Sequence, residues 1–232
     1  MRRSPSKAVA AASTVRSVDR ATHAHHPSLS EQVEPASGPF PRLLPGLLLI
    51  GGAIGLLASF VLTIEKIALL KDAGYVPSCS INPVLSCGSI MRTPQAELLG
   101  FPNPLLGIAG FAVVAAVAAA LLAGARLARW FWLGLQAGVT AGAVFVHWLI
   151  VQSLDEIGAL CPYCMVVWAV TTPLFWYLTL HNLRQGHLPA PAGARRAAEA
   201  VIGYHSVPLT VWFLAVIGLI GVRFWSYWST LI

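Results

Sequence analysis

The sequence predicts an all-α integral membrane protein: a four-helix transmembrane bundle plus a fifth transmembrane helix, N-terminus cytoplasmic and C-terminus outside. Three observations carry that prediction. Of the 232 residues, 56% are hydrophobic and only 10% are charged, whereas a soluble domain is nearer a quarter charged. So little charge cannot coat a surface facing water, and lipid takes water's place. The apolar residues are gathered into five long runs. Lys and Arg outside those runs fall almost entirely on one side of the predicted membrane, as topology signals do. The net charge of +6 therefore does not point to a nucleic-acid partner, because the basic residues form no stripe.

The elements follow in order. Residues 1–41 are polar, rich in Pro and Ser, and carry His23, His25 and His26; they predict a disordered cytoplasmic tail with solvated histidines. The alanine-rich piece at residues 8–12 is too short for a signal-peptide core, so no cleavage is predicted. Residues 43–70 exceed the roughly 20 needed to cross a bilayer, with Pro45 near the start and Glu65-Lys66 near the far interface. The second span, residues 104–123, holds no charge, and the third, residues 130–151, holds His147. A histidine at membrane depth is a functional candidate by default; packing or an interhelical hydrogen bond is the expected role, ahead of a proton relay. The fourth span, residues 162–180, opens at a Cys-x-x-Cys motif, and the fifth, within residues 207–232, carries Arg223 near its end. Trp130, Trp132, Trp225, Tyr227 and Trp228 lie at run ends, where interfacial aromatics belong. Residues 42–182 thus form the bundle. Residues 183–206, with Pro189 and Pro191, form a cytoplasmic linker in which residues 194–200 could be a short interfacial helix.

Orientation comes from the connecting segments. Arg2, Arg3, Lys7, Arg16, Arg20, Arg42, Arg126, Arg129, Arg184, Arg195 and Arg196 lie on one side, against Lys71 and Arg92 on the other. The first side is therefore cytoplasmic. Both cysteine pairs then face outside, where disulfides persist.

Cys161-Pro162-Tyr163-Cys164 is the strongest local signal. Pro162 suits the first helical position, which puts Cys161 at the helix cap, where unpaired N–H groups and the helix dipole favour a thiolate. Cys164 lies one turn deeper, so one thiol meets water and the other lipid. Asp155 and Glu156 just upstream read as a hydrated interfacial loop. The second signal is Cys79-Ser-Ile-Asn-Pro-Val-Leu-Ser-Cys87 in a polar loop. Its Asn-Pro suggests a turn that brings the thiols together. A loop that swings could present a disulfide alternately to a partner and to the Cys-x-x-Cys, as thiol–disulfide exchange requires. Two other readings stay open: a four-cysteine zinc site, although no zinc-ribbon spacing is present, and two static disulfides in a transporter-like protein.

Taken with Gly88-Ser89, with Gly100-Phe-Pro-Asn103-Pro-Leu-Leu-Gly107 entering the second span, and with the motif at Cys161 and Cys164, these cysteines resemble the vitamin K epoxide reductase family, in particular its bacterial homologues, over about residues 43–182. The resemblance implies a four-helix bundle with a quinone pocket near the outer surface. It implies that Cys161 and Cys164 reduce the quinone, with Cys164 nearest the ring. Cys79 and Cys87 would be the shuttle pair, Cys79 exchanging with the partner and Cys87 with Cys161. Asn103 matches the asparagine that hydrogen-bonds a quinone oxygen, although a helix cap is an equally simple use of it. Trp168 stands where the vertebrate enzyme has a quinone-contacting tyrosine, which favours a bacterial quinone over the epoxide; lipid-facing or core placement would also suit it. Thr93 stands where the family often has Ser or Thr near the pocket. Gly107 and Gly110 could simply permit close helix packing. The expected activity is that of a bacterial cytoplasmic-membrane thiol–disulfide oxidoreductase. It would reoxidise a separate DsbA-like thioredoxin-fold protein and pass the electrons to a membrane quinone, menaquinone by resemblance. Reduction of vitamin K epoxide by a thiol reductant is the alternative enzymatic reading.

Overall fold

The computed structural model describes residues 40–188, 193 and 203–230. The tail with its histidine cluster, the alanine-rich piece expected to stay uncleaved, and the short helix expected at residues 194–200 lie outside the described residues. The compact unit begins at Phe40. Its helices are α1 (Phe40–Lys71), α2 (Cys87–Met91), α3 (Pro104–Leu122), α4 (Arg129–Val151), α5 (Pro162–Arg184), α6 (Ser206–Arg223) and α7 (Trp225–Trp228). Among the described residues there is no strand beyond one isolated bridge, Leu85 to Leu160. Among the described residues, five helices are long and apolar enough to cross a membrane. The fold is therefore the all-α, five-span arrangement that the apolar runs predict.

Several boundaries differ for identifiable reasons. The third span does not end at Val151: a π-helical segment, Gln152–Ile157, continues it and carries Asp155 and Glu156. Both side chains are exposed, so they are hydrated as expected but on a helical extension. Gly158 then turns the chain at φ +66°, a left-handed conformation that glycine adopts without strain. The fourth span runs on to Arg184. The fifth breaks at Phe224 (φ −105°, ψ 21°), because that side chain is buried among Val84, Leu154, Leu160 and Trp168. Trp132 is buried within the bundle instead of sitting at an interface, its ring stacked on His187 with centroids 5.7 Å apart.

Helix α1 is the central post. It packs on α3 and on α5, and α4 packs on α5, while α3 and α4 scarcely touch. Glycines set the α1–α3 approach. A Cβ on Gly52 would come within 3.0 Å of the Ala115 backbone nitrogen, and one on Gly107 would collide with Ser59. Gly107 thus serves close packing, whereas Gly110 faces open space. The half of the bundle away from the cysteines is filled by Leu48, Phe111, Val114, Trp132, Leu174 and Leu178. There the fully buried Asn182 donates to Gln136 Oε1 (3.0 Å), and Gln136 donates to Thr179 Oγ1 (2.9 Å), so α4 and α5 are bonded where water is absent. Helix α6 is held by polar contacts along its length. Trp176 donates to the His205 carbonyl (3.0 Å), Trp212 to His147 Nε2 (2.9 Å), and Arg223 to the Leu154 carbonyl (2.7 Å). With Nε2 accepting, His147 donates from Nδ1 to the Ala143 carbonyl (2.7 Å). Both ring nitrogens are engaged, and one of them makes an interhelical hydrogen bond.

Candidate functional site: a cysteine relay above an apolar cavity

The turn expected in the Cys79–Cys87 segment is present. Asn82 Oδ1 accepts from the N–H groups of Val84 (3.0 Å) and Leu85 (2.7 Å), an Asx turn that mimics a backbone turn. It folds the segment back so that Cys79 and Cys87 are disulfide-bonded with Cα atoms 5.6 Å apart. Ser86 then caps α2, its hydroxyl accepting from Ser89 N, and Cys87 begins that helix.

Cys161 is the N-cap of α5 (φ −113°, ψ 121°), Pro162 follows in the first turn, and the Cys161 sulfur accepts from the Cys164 N–H (3.4 Å). This is the cap geometry that the motif predicts. Cys161 and Cys164 are free thiols. The Cys164 thiol donating to Cys161, aided by the Cys164 and Tyr163 N–H groups, holds the Cys161 thiol below the usual thiol range despite burial. Cys161 is thus the readily ionised member of the pair.

The two segments are joined by main chain. Ser86 N donates to the Leu160 carbonyl (2.8 Å) and Leu160 N to the Val84 carbonyl (2.7 Å). One residue beyond the bridge on one side and two on the other stand Cys161 and Cys87, their sulfurs 2.9 Å apart. The sulfurs of Cys79, Cys87 and Cys161 all lie within 4.8 Å of one another. Two of those three are bonded to each other, so the cluster offers one thiolate, which suits exchange and not a metal. Cys79 is 4% exposed and Cys87 fully buried. The loop that the sequence suggests as mobile is packed here against the fourth span's N-terminus.

Below the sulfurs lies a cavity of about 650 Å³, lined mainly by apolar side chains and reached by Cys161, Cys164, Asn103, Trp168, Thr93 and Lys66. Its wall on α4 includes Gly134, Gly138 and Gly142, spaced at one-face intervals with nothing within 4 Å of where their Cβ atoms would be. Helices α3 and α4 scarcely touch, and both line the cavity. Its size and its few polar groups suit a small apolar ligand, and a quinone head with part of its chain fits that description.

The pocket residues named from sequence are brought together, with differences in use. Trp168 is 3% exposed, in the core and away from lipid. Asn103 stands at the N-cap of α3 but makes no side-chain cap bond. Its Nδ2 donates to the Gln95 carbonyl (2.6 Å) and its Oδ1 accepts from Leu98 N (3.2 Å), which pins the 3₁₀ turn Pro94–Glu97 over the cavity. One amide hydrogen is left for a ligand. Thr93 Oγ1 donates to the Ile90 carbonyl (2.7 Å) and so presents only acceptor capacity to the cavity.

Two residues that sequence reading left unassigned are part of the site. Glu65 and Lys66 on α1 are both buried at 6% exposure, one gripping the chain before Cys79 and the other the chain after Cys87. Ionisable residues inside an apolar run are themselves the signal that could have found them.

The family model described as the vitamin K epoxide reductase family matches residues 46–179, more than half of the chain and all four cysteines. The chain belongs to the vitamin K epoxide reductase family. It is accordingly a member of an oxidoreductase family of helical membrane proteins associated with thiols and quinones. A comparison with curated proteins finds no match.

Proposed function

We propose that this vitamin K epoxide reductase family member reoxidises a DsbA-like thioredoxin-fold protein on the extracytoplasmic side of a bacterial cytoplasmic membrane and passes the electrons to a quinone, menaquinone by resemblance. The observation that carries the reading is the 2.9 Å separation of Cys87 and Cys161 sulfurs at the mouth of an apolar cavity that Cys164 also lines. The partner's thiolate attacks Cys79, and the partner's second thiol resolves the mixed disulfide, leaving Cys79 and Cys87 reduced. The Cys87 thiolate then attacks Cys161 of the Cys161–Cys164 disulfide, and Cys79 closes back on Cys87 as Cys161 is released. The result is the arrangement seen here, with Cys79–Cys87 oxidised and Cys161 and Cys164 free. A quinone in the cavity supplies the two-electron acceptor. Asn103 and Trp168 are the donors that would orient it, Asn103 through its remaining amide hydrogen. The direction is downhill only if the acceptor is more oxidising than a DsbA-type disulfide at about −120 mV. The Lys and Arg distribution supports an outside location for the cysteines.

A pair of static bridges would leave no thiol beside a disulfide, and the free Cys161 against Cys87 argues against that reading. The test is reconstitution in liposomes with menaquinone or ubiquinone and a reduced DsbA-type protein, followed by quinone absorbance and by alkylation mapping. Quinol formation matched to partner oxidation is expected. If no quinone is consumed, while the epoxide is reduced by a dithiol, the direction assigned here is wrong.

A further inference from the structure

Glu65 and Lys66 are neighbours at the outer end of α1, yet they hold opposite flanks of the shuttle segment. The Glu65 carboxylate accepts from the Tyr75 hydroxyl (2.9 Å), from the Ser78 hydroxyl and from Ser78 N (3.3 Å). Ser78 immediately precedes Cys79. Lys66 Nζ donates to the Met91 carbonyl (2.6 Å) and pairs with Glu97 (2.9 Å); Met91 ends the helix that Cys87 begins. The two grips differ in setting. The Lys66 bond is buried, while Glu65 holds an exposed Ser78 and a half-buried Tyr75. A charged acceptor bonded to groups that reach water opens more readily than a buried donor bonded to main chain. In the closed arrangement Cys79 is 4% exposed, so a soluble thiol cannot reach it without movement of this flank.

We propose that Glu65 and Lys66 are positioning residues for the relay: Lys66 fixes the Cys87 flank as a hinge, and Glu65 is a releasable clasp that holds Cys79–Cys87 against Cys161 and must open for the external thiol to enter. The proposal rests on the relay assigned above. Its consequence is opposed effects. Loosening the clasp favours exchange with an outside thiol and disfavours exchange with Cys161.

The test uses the full chain carrying Cys164→Ser. There the Cys161 thiolate attacks Cys87, a Cys87–Cys161 bond forms, the Cys79–Cys87 bond breaks, and Cys79 leaves as a thiolate. A maleimide caps Cys79, and peptide mapping by mass spectrometry reads the yield. In parallel, the rate at which dithiothreitol reduces Cys79–Cys87 is measured in the chain with both Cys161 and Cys164 changed to Ser. Glu65→Gln is expected to lower Cys87–Cys161 formation about tenfold and raise dithiothreitol reduction by a similar factor, the scale of weakened charge-assisted hydrogen bonds. Tyr75→Phe, which removes one hydroxyl and endangers folding least, should move both readouts the same ways by about threefold. Lys66→Met should lower internal exchange, with Lys66→Arg restoring part of it. If the Cys87–Cys161 bond forms with Glu65 intact and neither Glu65→Gln nor Tyr75→Phe moves the two rates in opposite directions, the clasp is refuted. If the bond never forms even with Glu65 intact, the relay itself fails.

Discussion

The two cysteine pairs are supported by opposite means. Cys161 caps a 23-residue helix and Cys164 stands in its first turn, so the main chain sets their separation. Cys79 stands in a stretch with no regular structure, and Cys87 opens the five-residue helix α2. They are placed by side chains: the Asn82 turn, the Glu65 and Lys66 grips, and Ser80 Oγ accepting from Gly88 N (3.2 Å). A helix end is stiff without further help, whereas a loop is only as fixed as the bonds on its flanks. The pair proposed to meet a soluble thiol is thus the one whose supports can be released. The pair that meets the cavity is the one whose supports cannot.

The largest expected effect removes the link between the two. Cys161→Ser should abolish partner-to-quinone turnover, by about 10³-fold or more as expected for loss of a nucleophile, while leaving Cys79–Cys87 reducible by dithiothreitol; quinone absorbance and alkylation read the two halves. Next comes the cavity. Gly138 has nothing within 4 Å of its Cβ position, so Gly138→Leu should be accommodated and fill the space. Quinone turnover should fall by about 10- to 100-fold, with the thiol exchange rates unchanged, if the space is a ligand site in the size class of small-molecule pockets. Equal loss in both assays would mean that the substitution disturbs the relay itself.

A smaller effect concerns pH. A thiol held low is ionised down to a lower pH, so its reactivity survives acidification that silences an ordinary thiol. The Cys164 thiol is the main cause of that lowering at Cys161. Cys164→Ala should therefore move the pH profile of Cys161 alkylation to higher pH; an unmoved profile would assign the low value to the helix end alone. The smallest effect is at α6. Trp212→Phe removes one hydrogen bond to His147 and should cost about 0.6 kcal/mol, seen as a slight fall in thermal stability with exchange rates unaltered.

How much of this was legible from sequence follows the same division. The spans, the cap at Cys161 and the Asn82 turn are local, written in runs of apolar residues and in Pro and Asn at fixed offsets, and the structure has them. The continuation of the third span through Asp155 and Glu156 was not legible, because two adjacent charges read as the end of an apolar run. What holds that turn is Arg223, about seventy positions away, bonding the Leu154 carbonyl. Trp132 at an interface and Asn103 as a cap were reasonable local readings, overridden by His187 and by the Gln95 carbonyl respectively. The sequence puts Glu65 near an interface; that it reaches Ser78, thirteen residues on, is a tertiary fact.

The single bridge between Leu85 and Leu160 has a consequence for how freely this site can vary. The spacing of the reacting sulfurs is inherited from two amide hydrogens and two carbonyls that every residue but proline carries equally. The half-buried side chain at position 85 can therefore vary without retuning the relay, provided that 86 and 160 keep an N–H to give. The chemistry is written in a few side chains, and part of the ruler that measures it is written in the main chain.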